Sequence, residues 1–205
     1  MVPPGSYRPR RRGLRVHVRD VAADDVVRHR ALPLTSGAQT WLDLAASTPA
    51  DELVALGDAL RRAGHLPVAA LDARLARAGN VRGVVRAREC APLLDGRAAS
   101  RPESLIRFWA HASELPDLEV QVPVHDQRGH ALLHADLGYS RWRIAVEYEG
   151  RQHADPRQFG LDIDRYSMMA ANGWLVLRFG RAQLGRRTVV LDRLAGALLS
   201  RGASW

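Results

Sequence analysis

The chain has 205 residues, 46% hydrophobic and 25% charged, a balance that suits a folded globular protein and argues against a disordered one. Thirty basic residues against 22 acidic ones give a net charge of +8; all thirty are arginine, so the chemistry has no lysine ammonium to draw on. Cys90 is the only cysteine, which excludes an intrachain disulfide and a cysteine-based zinc cluster.

Residues 1–13 are arginine-rich with no apolar stretch behind them, unlike a secretory signal, and no apolar run approaches the ~20 residues that span a bilayer. A cytoplasmic protein is expected. Residues 1–12 hold Pro3, Pro4, Gly5, Pro9 and Arg10-Arg11-Arg12 and are predicted to be irregular. From Leu14 the pattern alternates, with Leu14, Val16 and Val18 opposite Arg15, His17 and Arg19, which predicts a strand with a basic outer face. The first 30 residues carry eight arginines and three aspartates, a net of +5. Arg15 and Arg19 are therefore candidate phosphate contacts, with a solvated strand face as the alternative.

Thr48-Pro49-Ala50-Asp51 reads as a helix start, Leu53, Leu56 and Leu60 as its apolar stripe, and Gly64 as its stop. Shorter helices are predicted over Pro67 to Ala78 and Val81 to about Leu93. No catalytic set stands out in residues 13–95, and residues 1–95 are expected to form a small α+β module. The Gly/Ala/Ser-rich stretch Gly96 to Ser100 reads as a linker, after which residues 100–205 form a second domain.

There the order is clearer. Ser100-Arg101-Pro102-Glu103 is a capping box leading into Leu105, Ile106 and Trp109. Val120, Val122 and Val124 mark a first strand, Asp126 to Gly129 a turn, His130 to Leu137 a second strand, Gly138 to Arg141 a turn, and Trp142 to Glu149 a third strand. A long helix from Asp155-Pro156 ends at Asn172-Gly173; Trp174 to Phe179 is a fourth strand and Val189 to Leu199 a last helix. The first three strands suit an antiparallel meander, and the crossover helix sets the fourth strand parallel to a neighbour.

In the third strand Trp142, Ile144, Val146 and Tyr148 share one face, and Arg143, Ala145, Glu147 and Glu149 the other. Two carboxylates so spaced have Cα atoms roughly 6.6–6.8 Å apart, close enough for both to approach one hard cation. The alternative is a pair of exposed carboxylates bridged to Arg143 or Arg141. Asp136 ends the preceding strand. A symmetric turn would set it nearer Arg143 than Glu147, so it reaches the acids either diagonally or through a splay in the sheet.

This α-β-β-β-α-β order, with Asp136 on strand two and Glu147-Tyr148-Glu149 on strand three, resembles the PD-(D/E)XK nuclease superfamily and its restriction-endonuclease-like core. More narrowly, Ser100 to Glu103, Asp136, Ala145 to Gly150, His153, Asp162, Arg165 and Gly173 to Phe179 look like a very-short-patch-repair-type (Vsr-like) endonuclease domain of bacterial proteins. Upstream, Leu32 to Ser36, Thr40 and Leu42 to Ala45 are similar to actinobacterial AbiEi-type antitoxin-like proteins. Those often begin with a winged helix-turn-helix, for which there is no room here. The resemblance implies a metal-dependent DNA endonuclease using Mg²⁺ or Mn²⁺, with Asp136 and Glu147 as metal ligands. Glu149 stands where the superfamily motif has lysine and would be a third ligand or a water-positioning base. His153 would be a general base or leaving-group acid, with a solvated loop histidine as the alternative. Glu103 would be the acid of the first helix, with simple capping as the alternative. Arg143 and Arg178 would face nucleic acid, Asp162 and Arg165 form a surface ion pair, and Trp174 belongs to the core. The rival expectation is a non-catalytic nucleic-acid-binding regulator that keeps the fold.

Overall fold

The computed structural model describes residues 4–14, 16–18, 20–126, 128–150 and 156–205, the side chains at 156–160 and 162 excepted. Arg15, Arg19 and His153 lie outside the described residues, as does the side chain of Asp162. The fold is mixed α/β, of the α+β kind, and no helix among the described residues is long and apolar enough to cross a membrane.

Among the described residues of the predicted first strand no strand forms. Leu14 is 51% and Val18 36% exposed, so the alternating face is largely unburied, and Val18 makes only an isolated bridge. The strands form later, as a hairpin of β1 (Val26–His29) and β2 (Leu32–Thr35). Its two-residue loop, Arg30-Ala31, has φ of 46° and 67°, the left-handed values that such a tight turn demands. Arg-Ala is not a residue pair that signals this turn in a sequence. The hairpin's base is anchored by the buried Asp25, whose carboxylate pairs with Arg74 and Arg77.

A helix that the sequence reading did not anticipate, α1 (Gly37–Ala45), follows, capped by the Ser36 hydroxyl accepting from the Gln39 amide. Next come α2 (Ala50–Arg62), α3 (Val68–Ala76) and α4 (Val84–Cys90), close to the predicted spans. Helix α2 presents Leu53, Val54, Gly57 and Asp58 inward, leaving Leu56 38% exposed, so the buried stripe is rotated from the predicted one. Gly64 (φ 73°) ends it in a Schellman arrangement, with the His65 amide bonded to the Leu60 carbonyl and the Gly64 amide to that of Arg61. Trp41 is the centre of this module, fully buried and donating through Nε1 to the Leu53 carbonyl.

The stretch expected as a linker is packed. Ala98 is buried and its carbonyl accepts from Arg62. Helix α5 (Arg101–His111) then lies on α2, and Ala55 of α2 joins the core formed with α5. Asp58, fully buried, ties this seam: it accepts from the Asp95 amide at 2.7 Å and from Arg107 Nη2 at 2.8 Å.

Beyond α5 the chain forms a four-stranded sheet in the order β3 (Glu119–His125), β4 (Ala131–Tyr139), β5 (Ile144–Glu149), β6 (Leu175–Gly180). The first two pairings are antiparallel and the last parallel, reached through the crossover helix α6 (Pro156–Ala171). After the short α7 (Arg181–Leu184), helix α8 (Arg187–Ser200) packs with α5 on one face of the sheet. Met169 of α6 and Trp174 cover the other face, so Trp174 is a core residue as expected.

Two features depart from the predicted strands, and both bear on the site. The β4–β5 turn is later than predicted. Tyr139 is buried, bonds the Pro116 carbonyl through its hydroxyl at 3.1 Å and packs edge-on to Trp142, which carries β4 past Gly138. The turn falls at Ser140–Trp142, Arg143 takes the left-handed corner (φ 50°), and Trp142 is not in the strand. Gly138 is obligatory here, since a Cβ on it would lie 2.3 Å from the Ile144 carbonyl oxygen. The second departure is a break in strict alternation. Val120 and Leu137 belong to the core with α5 and α8, whereas Val122 and Ala135, two residues along each strand, belong to the core under α6. Gln121, with φ 54°, and Asp136 lie between these pairs. The two strands therefore change facing together.

Asp58 gives the first test. Replacing it with alanine leaves the Arg107 guanidinium buried without its carboxylate, and should cost about 3–5 kcal/mol in thermal or denaturant unfolding. Asp58→Ala combined with Arg107→Ala should cost less than the sum of the single changes. A loss below about 1 kcal/mol for Asp58→Ala would show that the α2–α5 seam does not depend on this ion pair.

Candidate functional site

The change of facing in β4 sets up the acids. The ladder between β4 and β5 pairs Leu137 with Val146, Gly138 with Ala145 and Tyr139 with Ile144. Continued one step, that register sets Asp136 across from Glu147, not across from Arg143 as a symmetric turn would have it. Here the backbone ladder gives way to side chains. The Tyr148 amide donates to Asp136 Oδ2 at 3.3 Å, and the Asp136 backbone lies near enough to Glu147 to favour its charged form. The strands thus splay, with the Asp136 side chain on the backbone of β5. Asp136 is half-buried, whereas Glu147 is buried at 6% exposure.

Glu147 is not the exposed carboxylate of the alternative reading, and it pairs with neither Arg141 nor Arg143. Its partner is Arg165 of α6, at 2.9 Å from Nη2 to Oε1; the same Nη2 donates to the His134 carbonyl at 2.5 Å. Burial pushes the Glu147 carboxyl up to about 7, and the Asp136 charge pushes the same way; the Arg165 hydrogen bond and charge and the Asp136 backbone oppose them.

Glu149 shares the strand face of Glu147, as the two-residue period requires, but its carboxylate engages different partners. Arg178, on β6, binds it through both Nε and Nη2, and the Tyr166 hydroxyl donates to it at 2.9 Å. The Arg178 guanidinium lies 4.1 Å from the centre of the Tyr166 ring, a cation–π arrangement. Burial and the Glu149 carboxylate push the Tyr166 hydroxyl well above its ordinary range. Among the described residues no three His, Cys, Asp or Glu side chains gather as a group able to hold a metal ion. The expected convergence of Asp136, Glu147 and Glu149 is therefore narrowed to Asp136 and Glu147, with Glu149 held by Arg178 and Tyr166.

Glu103 is the capping residue of α5. Its carboxylate accepts from the Ala99 amide at 2.8 Å and the Ser100 hydroxyl at 2.6 Å, which accounts for its burial. Burial pushes it up against those two bonds, and the charge of Asp136 adds to the push, so the start of α5 lies within electrostatic reach of the acid pair. Arg143 is exposed at the far end of β5, roughly 13 Å along the strand from Glu147 at the usual rise per residue, and is not beside the acids. Its place is fixed by the late turn. Arg165 and Tyr166, adjacent on α6, are the site residues that the sequence reading undervalued. Arg165 was expected to pair with Asp162 on the helix surface, because i, i+3 spacing within a helix is visible in sequence and a bond across to the sheet is not.

A donor set of two carboxylates is suited to a hard divalent cation. Mg²⁺ is commonly held by one or two carboxylates, with water and phosphate oxygens completing its shell. Asp136 and Glu147, close enough for the charge of one to raise the carboxyl of the other, fit that chemistry.

No family model and no solved structure matches the chain. Curated relatives do: an uncharacterized protein of Mycobacterium tuberculosis, in each of two strains, is 31% identical over 166 residues. The match covers 80% of this chain and 60% of the relatives, so the chain spans about three-fifths of their length.

The raised Glu147 carboxyl has a measurable consequence. From the ordinary value of 4.5 up to about 7, the unfolded chain releases this proton while the folded chain keeps it. Its contribution to stability is therefore full below about 4.5 and is lost as pH rises through about 7. Glu147→Gln removes that loss. Without metal, the variant should be more stable than the wild type by on the order of 2–3 kcal/mol above pH ~8, with the advantage vanishing at acid pH. Equal pH profiles in thermal melts would mean that the carboxyl is not strained.

Proposed function

We propose that this chain hydrolyses phosphodiester bonds of DNA as a Mg²⁺- or Mn²⁺-dependent endonuclease, built on a PD-(D/E)XK-like core of the Vsr-like kind. The observation that carries the proposal is the acid pair at the β4–β5 splay, Asp136 and Glu147, where among the described residues Arg165 is the arginine bonded to Glu147 and the Asp136 charge still raises its carboxyl. The α5-β3-β4-β5-α6-β6 order around it supports the same reading, since that is the order the resemblance implies.

Asp136 and Glu147 would hold the cation, which when bound polarises the scissile phosphate and lowers the pKa of a water. The protein's own groups do the rest. Arg165 and Arg178, both partly exposed, would bind phosphate oxygens, Arg178 from beside the Tyr166 ring. Both guanidinium contacts of Arg178 and the Tyr166 hydroxyl fall on Oε1 of Glu149, which ties that carboxylate to β6 and α6. Tyr148 contributes its amide, which keeps the Asp136 carboxylate turned to β5. With a net charge of +8, the protein is drawn to polyanions.

A second reading has an observation of its own. Glu147 and Glu149 are each paired with an arginine, so both acids have partners without a metal, as in a DNA-binding regulator that retains the fold without turnover.

Nicking of supercoiled plasmid separates the two. The endonuclease reading expects nicking by wild type with Mg²⁺ or Mn²⁺, none with chelator, and a loss of at least ~100-fold in Asp136→Asn and Glu147→Gln. No nicking in either metal supports the regulator; variants as fast as wild type mean that other residues act. Both readings expect DNA affinity to fall steeply between ~50 and ~200 mM salt. Binding that salt does not weaken would remove the electrostatic basis of both.

A further inference from the structure

We infer that Arg165 is a built-in counter-cation at the Glu147 side of the acid pair: its guanidinium is bonded to Glu147 in the metal-free protein, is repelled when a divalent cation binds, and is then free to take a substrate phosphate oxygen. The inference rests on the metal-dependent reading above and adds a competition within the site.

The geometry is specific. Arg165 comes from α6, the helix that crosses the face of the sheet, and reaches back to the splay between β4 and β5. One nitrogen, Nη2, bridges Glu147 Oε1 on β5 and the His134 carbonyl on β4, at 2.9 and 2.5 Å. It therefore spans the opening created where the ladder stops. Glu147 is buried, with its side chain 7% exposed, whereas that of Arg165 is 31% exposed, so the arginine has solvent to move into and the carboxylate does not.

Charge sets the two occupants against each other. Arg165 takes Oε1 of Glu147, while a divalent cation would bring two further positive charges to the same two acids. A guanidinium and a metal ion side by side on one carboxylate repel, so each weakens the other. The displaced side chain stays tethered at the rim by its α6 backbone. An arginine there meets a phosphate through a fork of N–H donors, the geometry that binds phosphate oxygens well. Arg165 would thus act as a positioning residue in two states, on Glu147 without metal and on phosphate with it. Arg178 has no comparable role at the acid pair, since its contacts go to Glu149 and Tyr166.

The test is Mn²⁺ binding to the full chain by titration calorimetry, without DNA, at fixed pH. Arg165→Met should bind Mn²⁺ more tightly than wild type, on the order of tenfold, because no resident cation repels it. Arg165→Lys keeps the charge on a compact ammonium and should fall between the two, and it serves where the methionine variant fails to fold. A purely structural arginine predicts the opposite, since loosening the site weakens the metal. In the loaded state Arg165→Met should also weaken binding of a non-cleavable phosphorothioate duplex. Wild type that binds Mn²⁺, with a folded Arg165 variant that binds it no more tightly, overturns this inference alone. Absence of Mn²⁺ binding in wild type and variants overturns the metal-dependent reading and this inference with it.

Discussion

The site depends on one local constraint, the point at which β3 and β4 change facing. Gln121 in a left-handed conformation lets Val120 pack with α5 and α8 while Val122 packs under α6, and β4 follows by turning Leu137 one way and Ala135 the other. Asp136 lies at that crossing. Its side chain is turned toward β5, where it takes the Tyr148 amide and replaces a ladder bond. Without the crossing, β4 and β5 would pair to their ends, and no opening would exist between two carboxylates. A non-glycine residue in left-handed geometry has a cost, and it is often found where a site needs it.

The surroundings maintain that arrangement. Tyr139 and Gly138 fix where β4 turns, Tyr139 by burying its ring and Gly138 by letting the Ile144 carbonyl pass close to its Cα. Two cores, one shared with α5 and α8 and one under α6, hold the sheet from both faces, so the splay is confined to the end of the β4–β5 ladder. Helix α6 then supplies Arg165 and Tyr166 to the two acids of β5. Burial of Glu147 strengthens its interactions and makes its charge expensive, and Arg165 only partly offsets that expense.

Much of this was legible in the sequence because it follows from period and punctuation. The capping box at Ser100, the helix stops at Gly64 and Gly173, the order of the strands and the shared face of Glu147 and Glu149 are local facts, and local rules read them. The register that brings Asp136 to Glu147 is not local. It depends on Tyr139 finding the Pro116 carbonyl, 23 residues earlier, and a symmetric turn is the default without that contact. The reach of Arg165 to Glu147 and of Arg178 to Glu149 crosses from helix to sheet and between strands, where spacing in the chain says nothing. The hairpin of β1 and β2 was displaced from the predicted strand because its turn residues, Arg30 and Ala31, carry no turn signal, while the exposed Leu14 and Val18 imitate an alternating face.

In the proposed site Asp136 and Glu147 together would bind a divalent cation. Crystals of the full chain soaked in Mn²⁺ and measured at the manganese absorption edge test it most directly. An anomalous difference peak bound by oxygens of both carboxylates is expected, with the Arg165 guanidinium withdrawn from Glu147. A map with no peak there, or a peak elsewhere with Arg165 still on Glu147, would contradict it.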